Sequence, residues 1–372
     1  MVETRRICLD LTVCSRPVQK FAGKRIYVST GDSEDMENGQ LVDYYDRPSR
    51  ANVEPHINDV IFAKMANTDK TFLIDSDLAK NIYSTGFFVV NSKKILPKFL
   101  YYLVKSDEFD GYKNAFSEGT TQVSISDKRL RKIYISYETD LDKQQQIVVF
   151  LDRKVDLIDK MISNLETQIR ELRKYKISII SEYLQGKSEG LFKIKYKNSV
   201  IDKKCDKHGL SYFALENIIS DSGQFIQTAS EYSSEGALMC KKGDICFGKL
   251  RPYLRKFYLV PEDTTCSTEI AVFREKESTK YLYYILQSEE FIQRCNAFSE
   301  GTKMPRINIE KIKNWKFYYP PVEERIAFVK KMENIELNVE KLIKIKLQKI
   351  NELKNYKNSL IYECVTGKKE VI

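Results

Sequence analysis

Histidine, long apolar runs and closely spaced cysteines are what this 372-residue sequence lacks. The two histidines, His56 and His208, leave little room for acid–base or triad chemistry built on imidazole. No apolar run approaches the roughly 18 residues of a membrane helix. The segment from Met1 to Arg16 carries charges and no uninterrupted apolar core for a signal peptide. We therefore expect a cytoplasmic protein with no membrane partner.

The eight cysteines show no Cys-x-x-Cys spacing. They are Cys8, Cys14, Cys205, Cys240, Cys246, Cys266, Cys295 and Cys364. Zinc sites usually take their ligands from short spacings, so the pattern favours scattered reduced thiols over a metal site or disulfides.

Motifs of common enzyme classes are also missing. The Pro-Pro pair in Tyr319-Pro-Pro-Val322 has no polar residue before it and no aromatic after it, unlike the catalytic segment of a base methyltransferase. The segment from Ser181 to Ser188 lacks the first glycine of a phosphate-binding loop. No Gly-x-Ser-x-Gly, His-Glu-x-x-His or recognisable nuclease carboxylate pattern occurs. The sequence therefore predicts no catalytic residues, no metal and no cofactor.

What the sequence does contain is enough apolar residues for packed cores. Hydrophobic residues make up 42% and aromatics 12%, and the formal net charge is +9. The length suggests two or three domains. A charge of this size on a chain of this length is by itself weak evidence for a nucleic-acid partner.

The strongest feature is an internal duplication. Residues 99–120 and 281–302 are identical at 13 of 22 aligned positions, including Phe-Ser-Glu-Gly-Thr in both copies. The match extends outward: residues 58–64 align with 243–249, and Ser-Thr at 84–85 aligns with Ser-Thr at 267–268. The chain is therefore two copies of one unit of about 180 residues.

Each copy begins with a mixed part of short strands and helices. Strand-like runs bounded by turn residues cover 59–64, 86–91 and 131–137 in the first copy, and 271–274 and 313–319 in the second. A helix is predicted over Pro97–Phe109, with its counterpart over Tyr281–Phe291. The fold class is thus α+β.

Each copy ends with a long helix. In the first copy, apolar residues recur in steps of four and three, which is the seam of a coiled coil. These seam residues are Leu151, Val155, Ile158, Ile162, Leu165, Ile169 and Leu172. Gly186 stands where a C-terminal cap belongs, and Gly367 does so in the second copy.

The second long helix starts after Pro320-Pro321, because proline does not fit a helix interior. Its seam is less regular: Met332, Ile335, Val339, Leu342, Lys346, Ile350 and Leu353. Each helix has about 40 residues and spans about 60 Å. The simplest way to bury the apolar residues of each seam is to pack the two long helices against each other. Self-association with another copy, or packing against another protein, is the alternative.

Two related modules joined by long helices suit a ligand with two sites, such as duplex DNA. The candidate DNA-binding residues come from charge, turn position and repeat alignment. They are Lys64, Ser84, Thr85, Thr120, Thr121, Gln122, Lys249, Arg251, Tyr253, Arg255, Lys256, Ser267, Thr268, Thr302, Lys303 and Arg306.

Each group of candidates has an alternative interpretation. The segment Lys249–Lys256, with four cations and an aromatic, is either a contact for phosphates and guanine edges or a solvated strand and turn. The Ser-Thr pairs are either donors to a ligand or makers of a turn. The repeated Phe-Ser-Glu-Gly-Thr is either a phosphate loop or a packing turn that the duplication preserved.

These segments together resemble the DNA specificity subunit of type I restriction-modification systems. The resemblance is carried by Asn58–Lys64, by Gly243–Arg251 (Gly-Asp-Ile-Cys-Phe-Gly-Lys-Leu-Arg) and by both Phe-Ser-Glu-Gly-Thr turns. It also includes Tyr-Pro-Pro-Val-Glu-Glu-Arg-Ile, which leads into a helix ending Thr-Gly-Lys. It covers nearly the whole chain, and the combination at one spacing is highly specific.

The resemblance implies two target recognition domains, residues 1–140 and 188–321, each for one half of a split, asymmetric DNA site. Residues 141–187 and 322–372 are implied to be helices of an antiparallel coiled coil with pseudo-twofold symmetry. In this family the coiled coil docks two methyltransferase subunits, and a restriction and translocase subunit joins the complex. The partner binds S-adenosylmethionine, and the specificity subunit has no catalytic residues and no cofactor.

Two other hypotheses remain open at this stage. A coiled-coil scaffold that binds protein predicts no sequence-dependent retention of DNA. A nuclease or methyltransferase with an unfamiliar site predicts activity from the purified chain alone.

Overall fold

A computed structural model describes residues 2–31, 39–119, 123–201, 204–205 (backbone only), 210–227, 236–277 and 280–371. The chain divides into two compact units. The first contains residues 1–163 and 349–372, and the second contains residues 164–348. No helix in the described ranges is both long enough and apolar enough to cross a membrane.

The strands are short and distributed over both units. The first unit contains β1 (Val2–Arg6), β2 (Thr12–Val13), β3 (Arg25–Val28), β4 (Gln40–Val42), β5 (Ala51–Val53), β6 (Val60–Ala63), β7 (Thr71–Leu73), β8 (Ile82–Ser84), β9 (Phe87–Asn91) and β10 (Tyr134–Glu138). The second contains β11 (Leu191–Lys193), β12 (Asn198–Ile201), β13 (Lys204–Cys205), β14 (Tyr212–Phe213), β15 (Ala237–Cys240), β16 (Ile245–Gly248), β17 (Phe257–Leu259), β18 (Thr264–Cys266), β19 (Ile270–Glu275) and β20 (Lys316–Tyr318).

Two of the helices are far longer than the others. The helices are α1 (Pro97–Val104), α2 (Asp107–Ala115), α3 (Asp127–Leu130), α4 (Leu141–Leu184), α5 (Ile194–Lys197), α6 (Tyr281–Ile285), α7 (Glu289–Ala297), α8 (Ile309–Lys313) and α9 (Val322–Val365). Both α4 and α9 have 44 residues, so each runs from one compact unit into the other.

The two units repeat one sheet arrangement. The order β2-β9-β6-β7 in the first unit matches β12-β19-β16-β17 in the second. In another sheet of each unit, a central strand (β8 or β18) has a parallel neighbour (β3 or β14) and an antiparallel neighbour (β5 or β15). Each unit also contains a two-stranded antiparallel sheet, formed by β1 and β10 in the first unit and by β11 and β20 in the second. The duplication in the sequence is therefore a duplication of mixed α+β topology.

A buried aspartate occupies the same place in both copies. Asp59 accepts a hydrogen bond from the backbone of His56 at 2.8 Å, and the aligned Asp244 accepts one from the backbone of Lys241 at 2.8 Å. The side chains of Asn91 and of its counterpart Arg274 donate to these carboxylates at 3.0 and 2.7 Å. Since a buried carboxylate must be paired, the donor on the neighbouring strand is part of each unit's core.

The helix predicted over Pro97–Phe109 is in fact two helices, α1 and α2. Ser106 interrupts them, and its hydroxyl accepts a hydrogen bond from the backbone N–H of Phe109. The prediction for the second copy is wrong in the same way, because Ser288 separates α6 from α7 and accepts from the backbone of Phe291 at 3.2 Å. A serine at an N-cap satisfies the free N–H groups of a new helix.

The seam predicted for α4 is confirmed. Leu151, Ile158, Ile162 and Ile169 are buried, while intervening positions such as Asp156 and Glu166 are exposed. In α9 one assignment is wrong: Leu342 is 47% exposed, and Ile343 lies at the half-buried seam position. Alternating steps of four and three from Val339 lead to residue 343, then 346 and 350.

Within the second unit, α4 and α9 pack against each other in opposite directions. Gln168 of α4 pairs with Lys346 of α9, Lys176 lies 3.0 Å from Glu336, and the Tyr183 hydroxyl donates to Glu324 at 2.9 Å. Residue numbers therefore rise along one helix as they fall along the other. In the first unit the Lys357 ammonium lies 2.8 Å from the carboxylate of Asp159. The helices thus cover each other's seams, as the sequence predicts.

Capping residues define the ends of both long helices. Asp140 accepts from the backbone of Asp142 and Lys143, and so starts α4 without a Pro-Pro pair. Gly186 and Gly367 follow the C-terminal ends with φ of +75° and +68°, a conformation that favours glycine. The Val2 side chain lies directly against Gly367, whereas Gly186 has open space around it. The predicted caps are confirmed.

Candidate nucleic-acid interface

The two aligned lysines, Lys64 and Lys249, occupy equivalent places at strand ends. Lys64 follows β6, and its backbone N–H and C=O bond to Gly86 and Ile125 at 2.8 and 2.9 Å. Lys249 follows β16, and its backbone bonds to Glu269 and Ile307 at 2.9 and 3.0 Å. Each lysine is therefore held between the turn before the neighbouring strand, β9 or β19, and the loop after Phe-Ser-Glu-Gly-Thr.

That loop is closed in the same way in both units. Glu118 and Ser124 exchange two backbone hydrogen bonds of 3.0 and 3.1 Å. Glu300 and Arg306 exchange two of 3.0 and 2.9 Å. The base of each loop is bonded to the aligned lysine through Ile125 or Ile307, which brings the described parts of the predicted segments together in each copy. Thr120, Thr121 and Gln122 lie outside the described residues.

In the first unit, Lys64 is already engaged by its own unit. Its ammonium donates to the carbonyl of Thr85 at 2.8 Å and lies 4.7 Å from the centre of the Phe88 ring. Thr85 is exposed, whereas Ser84 is buried and its hydroxyl accepts from the backbone of Gly86 at 3.1 Å. Ser84 thus makes the turn, while Lys64 and Thr85 border an open cavity of about 380 Å³.

In the second unit, three candidate cations lie at the surface around one strand end. The backbone N–H of Arg251 donates to the carbonyl of Pro305 at 2.7 Å, which joins the strand end to the loop that carries Lys303 and Arg306. Arg251, Lys303 and Arg306 are all exposed. Tyr253 is 50% exposed beside them in the chain. This group of exposed cations with an aromatic is suited to phosphates and base edges.

Two cations of the segment Lys249–Lys256 point into the protein instead. The Arg255 guanidinium is buried and pairs with Asp221 and Glu289 at 3.0 and 3.2 Å. The Lys256 ammonium donates to the carbonyl of Leu215 at 2.6 Å. Their side chains are therefore occupied by contacts within the second unit.

The remaining candidates are small polar residues in the second unit. The Ser267 hydroxyl accepts from the backbone of Glu269 at 3.2 Å, so this serine forms a turn as Ser84 does. Thr268 is half-buried, and Thr302 is exposed at the tip of the closed loop.

Burial lowers the pKa of both aligned lysines. Loss of hydration is the first cause for Lys64, where the charge of Asp127 opposes the shift. For Lys249 the same loss of hydration acts together with the nearby guanidinium of Arg306. The two lysines therefore share partial burial, whereas their charged neighbours differ: a carboxylate lies near Lys64, and a guanidinium lies near Lys249.

Several charged residues at these sites were missed by the sequence analysis. The Glu269 carboxylate lies 2.9 Å from the Arg306 guanidinium, so a negative charge orders one of the exposed cations. In the first unit, Arg16, Asp127 and Arg131 line the cavity with Lys64. Only Glu269 is near a repeat match in the sequence, directly after Ser-Thr; the other three are distant from Lys64 along the chain.

The expectation of scattered thiols is wrong for three cysteines of the second unit. The sulfur atoms of Cys240, Cys246 and Cys266 lie within 4.8 Å of one another, and all three residues are buried. The sulfurs of Cys240 and Cys266 are 3.3 Å apart, and no disulfide is formed by the cysteines whose side chains are described. The side chain of Cys205 is outside the described part.

Comparison with known proteins identifies one family. The model of the type I restriction modification DNA specificity domain matches residues 16–171 and again residues 182–355. The two matches together include most of the chain and correspond to its two copies.

Two curated relatives are specificity subunits. The chain is 23% identical to the type I restriction enzyme MjaVIII specificity subunit of Methanocaldococcus jannaschii, over 73% of this chain and 69% of that protein. It is 25% identical to the EcoDI specificity subunit of Escherichia coli, over 30% of this chain. The match spans only 26% of the EcoDI subunit's length.

A solved structure shares the fold. It comes from a study of complex assembly and conformational transition of the type I restriction-modification system, and the TM-score is 0.69. The superposition covers 99% of this chain and 98% of the other chain at 17% identity.

Proposed function

The chain belongs to the type I restriction modification DNA specificity family, and we propose that it selects the DNA sequence on which a type I complex acts. In this proposal it binds double-stranded DNA at a split, asymmetric site. Two different domains of one polypeptide recognise the bases, so each half-site is read by its own domain.

The proposed target recognition domains are residues 1–140 and 188–321, and the proposed spacers are residues 141–187 and 322–372. Support comes from the repeated sheet topology and from the long helices that follow each mixed part. Helices of 44 residues span about 66 Å and so limit the half-site separation to roughly 19 base pairs. We further propose a pseudo-twofold arrangement, because the copies share one topology.

One observation carries the proposal: equivalent strand ends bring together the aligned lysine, the Ser-Thr turn and the closed loop in each unit. In the second unit this place presents Arg251, Lys303 and Arg306 to solvent. Arginine pairs with guanine edges and phosphates, and lysine with phosphates. The thirteen candidate residues that the structure describes differ in burial, and we assign direct contact first to these exposed cations.

The proposal is tested by sequencing methylated bases in a host that carries the chain with its methyltransferase partner and in a host without the chain. We expect a split motif that depends on the chain. Exchanging residues 1–140 for the equivalent domain of another family member should change one half of the motif only. A contiguous motif, or a motif independent of the chain, would contradict the proposal, and failure to retain labelled duplex would favour a protein-binding scaffold.

We also propose that the long helices dock two methyltransferase subunits and, through the complex, the restriction and translocase subunits. Exposed apolar side chains on α9, Leu342 and Ile345, support a protein partner, since such groups mark interaction surfaces. Co-expression of the partner with L342S/I345S should yield less complex than wild type. The variant K341S/K344S, at neighbouring exposed positions, is the control and should keep the complex.

In this proposal the chain itself has no catalytic residue and no cofactor. The partner binds S-adenosylmethionine and transfers the methyl group, and the cytoplasm is the compartment where such a complex meets DNA. Methyl transfer by the purified chain alone would contradict this division of roles.

A further inference from the structure

We propose that Cys240, Cys246 and Cys266 form a zinc-binding site in the second unit. Cys240 ends β15 and Cys266 ends β18, which are neighbours in one sheet, and Cys246 lies on β16 of another sheet. All three are 0% exposed. A shared ion would therefore connect two sheets of one domain through their side chains.

The distances between the sulfurs suit one ion. Three sulfurs around one zinc ion with Zn–S bonds of about 2.3 Å lie about 3.8 to 4.0 Å apart, from tetrahedral to trigonal angles. The described sulfurs lie between 3.3 Å, for Cys240 and Cys266, and the 4.8 Å limit that contains all three.

The surroundings favour a thiophilic ion. The cluster is packed among Phe213, Ile218, Val260, Ile270 and other apolar side chains, which supply no oxygen or nitrogen ligands. Thiolates alone select ions such as zinc or monovalent copper over magnesium, calcium or manganese. Three thiolates leave one net negative charge on Zn²⁺ and two on Cu⁺. Because burial of charge is costly, zinc is the better occupant.

Packing alone is the competing explanation, since free cysteine often serves as a small apolar side chain. The first copy shows which residue types occupy the equivalent positions when they serve only to pack the core. Cys246 aligns with Ile61 and Cys266 aligns with Tyr83, and both of those residues belong to an apolar cluster of the first unit. The paired registers agree, because Ile61 lies opposite Val89 and Cys246 lies opposite Val272. Thiols at both equivalent positions, converging with Cys240, indicate a ligand set specific to the second copy.

The test uses the full chain, reduced and freed of metal by a chelator. Zinc is titrated in competition with a chromophoric chelator, and cobalt(II) is added separately to record thiolate-to-metal absorption. We expect one zinc ion per chain, cobalt–thiolate absorption, and a zinc-dependent rise in the thermal unfolding midpoint. C246A and C266A should each weaken zinc binding by at least about tenfold, because each removes one of three ligands.

Cys295 supplies the matched control, since it is also 0% exposed in the second unit but lies in another apolar cluster. C295A should bind zinc as the wild type does. Absence of stoichiometric zinc on the reduced wild-type chain would overturn the proposal. So would unchanged binding by the C246A/C266A double variant, or binding of Cu⁺ without binding of Zn²⁺. The zinc titration and the thermal shift of the wild-type chain test for the zinc site even if a variant does not fold.

Discussion

Lys176 of α4 and Glu336 of α9 form an ion pair of 3.0 Å that is almost shielded from solvent, with side-chain exposures of 8% and 19%. The same carboxylate accepts a hydrogen bond of 2.9 Å from the hydroxyl of Tyr284. One side chain therefore connects both long helices and a helix of the mixed domain within the second unit.

Replacing Glu336 should be far more costly than replacing its exposed neighbour Glu333. E336A leaves the Lys176 ammonium buried without its partner, so we expect a loss of about 3 kcal/mol in the free energy of unfolding. E333A removes a half-exposed pair with Lys280 and should cost less than about 1 kcal/mol. Urea titrations of the two variants give the comparison, and equal losses would contradict the role assigned to Glu336.

The two helix-capping glycines should respond differently to alanine. Both have positive φ, so G186A and G367A each impose about 1–2 kcal/mol of backbone strain. At Gly367 the added Cβ would also collide with Val2, whereas Gly186 has open space. We expect G367A to destabilise the protein at least about 1 kcal/mol more than G186A. Equal effects in thermal unfolding would show that Val2 does not pack against this cap.

Exposed cations at the strand end of the second unit should control DNA affinity. R251A and R306A should weaken binding to duplex DNA and reduce the dependence of affinity on salt by about one counterion each. The control is K241A/K242A, which removes exposed lysines before β16, at the end of the strand opposite to Lys249. Fluorescence anisotropy at several salt concentrations measures the DNA affinity of each variant. If the control weakened DNA binding as much as R251A does, the proposed interface would be wrong.

Arg255 should matter for stability and not directly for DNA. R255A removes ion pairs with Asp221 and Glu289, and we expect a loss of about 3 kcal/mol. R251A, at an exposed position in the same segment, should change stability by less than about 0.5 kcal/mol. Urea unfolding of both variants measures the two losses of stability. A larger loss for R251A than for R255A would contradict the structural role assigned to Arg255.

Asp10 should make the first unit sensitive to acid. Burial by itself raises the pKa of this carboxyl, but hydrogen bonds from Lys94 and Tyr137 outweigh it, and the pKa lies below its ordinary value. The ionised form therefore stabilises the fold above the unfolded-state pKa, and this contribution is lost as the pH falls through the folded-state pKa. D10N should flatten the acid dependence of the unfolding free energy. An acid dependence of D10N as steep as that of the wild type would contradict this role of Asp10.

The duplication made much of the fold predictable. The repeated spacing predicted the strands that follow Asp59 and Asp244. The apolar seams predicted the long helices, and proline and glycine predicted where they begin and end. The error at Leu342 arose because apolar character alone does not distinguish it from Ile343, whereas packing against the other helix does. The breaks at Ser106 and Ser288 depend on local caps inside an apolar pattern that continues across them.

The side-chain directions at the candidate sites were less predictable. Arg251 and Arg255 both have positive φ, yet Arg251 is exposed and Arg255 is buried, and no residue type in the segment indicated this difference. Cys240, Cys246 and Cys266 converge because strands of two different sheets contribute to one apolar cluster. Spacing along one strand carries no information about such a contact.

The compact units do not coincide with the sequence repeats. The first unit takes its last segment, residues 349–372, from the second repeat, and there Lys357 of α9 pairs with Asp159 of α4. A polypeptide ending at residue 187 would therefore leave part of its own seam uncovered. The aligned end of α4 carries an equivalent seam, with Ile169 in the place of Ile350. A half-length chain would therefore need a second long helix, of its own kind or another, to bury this seam.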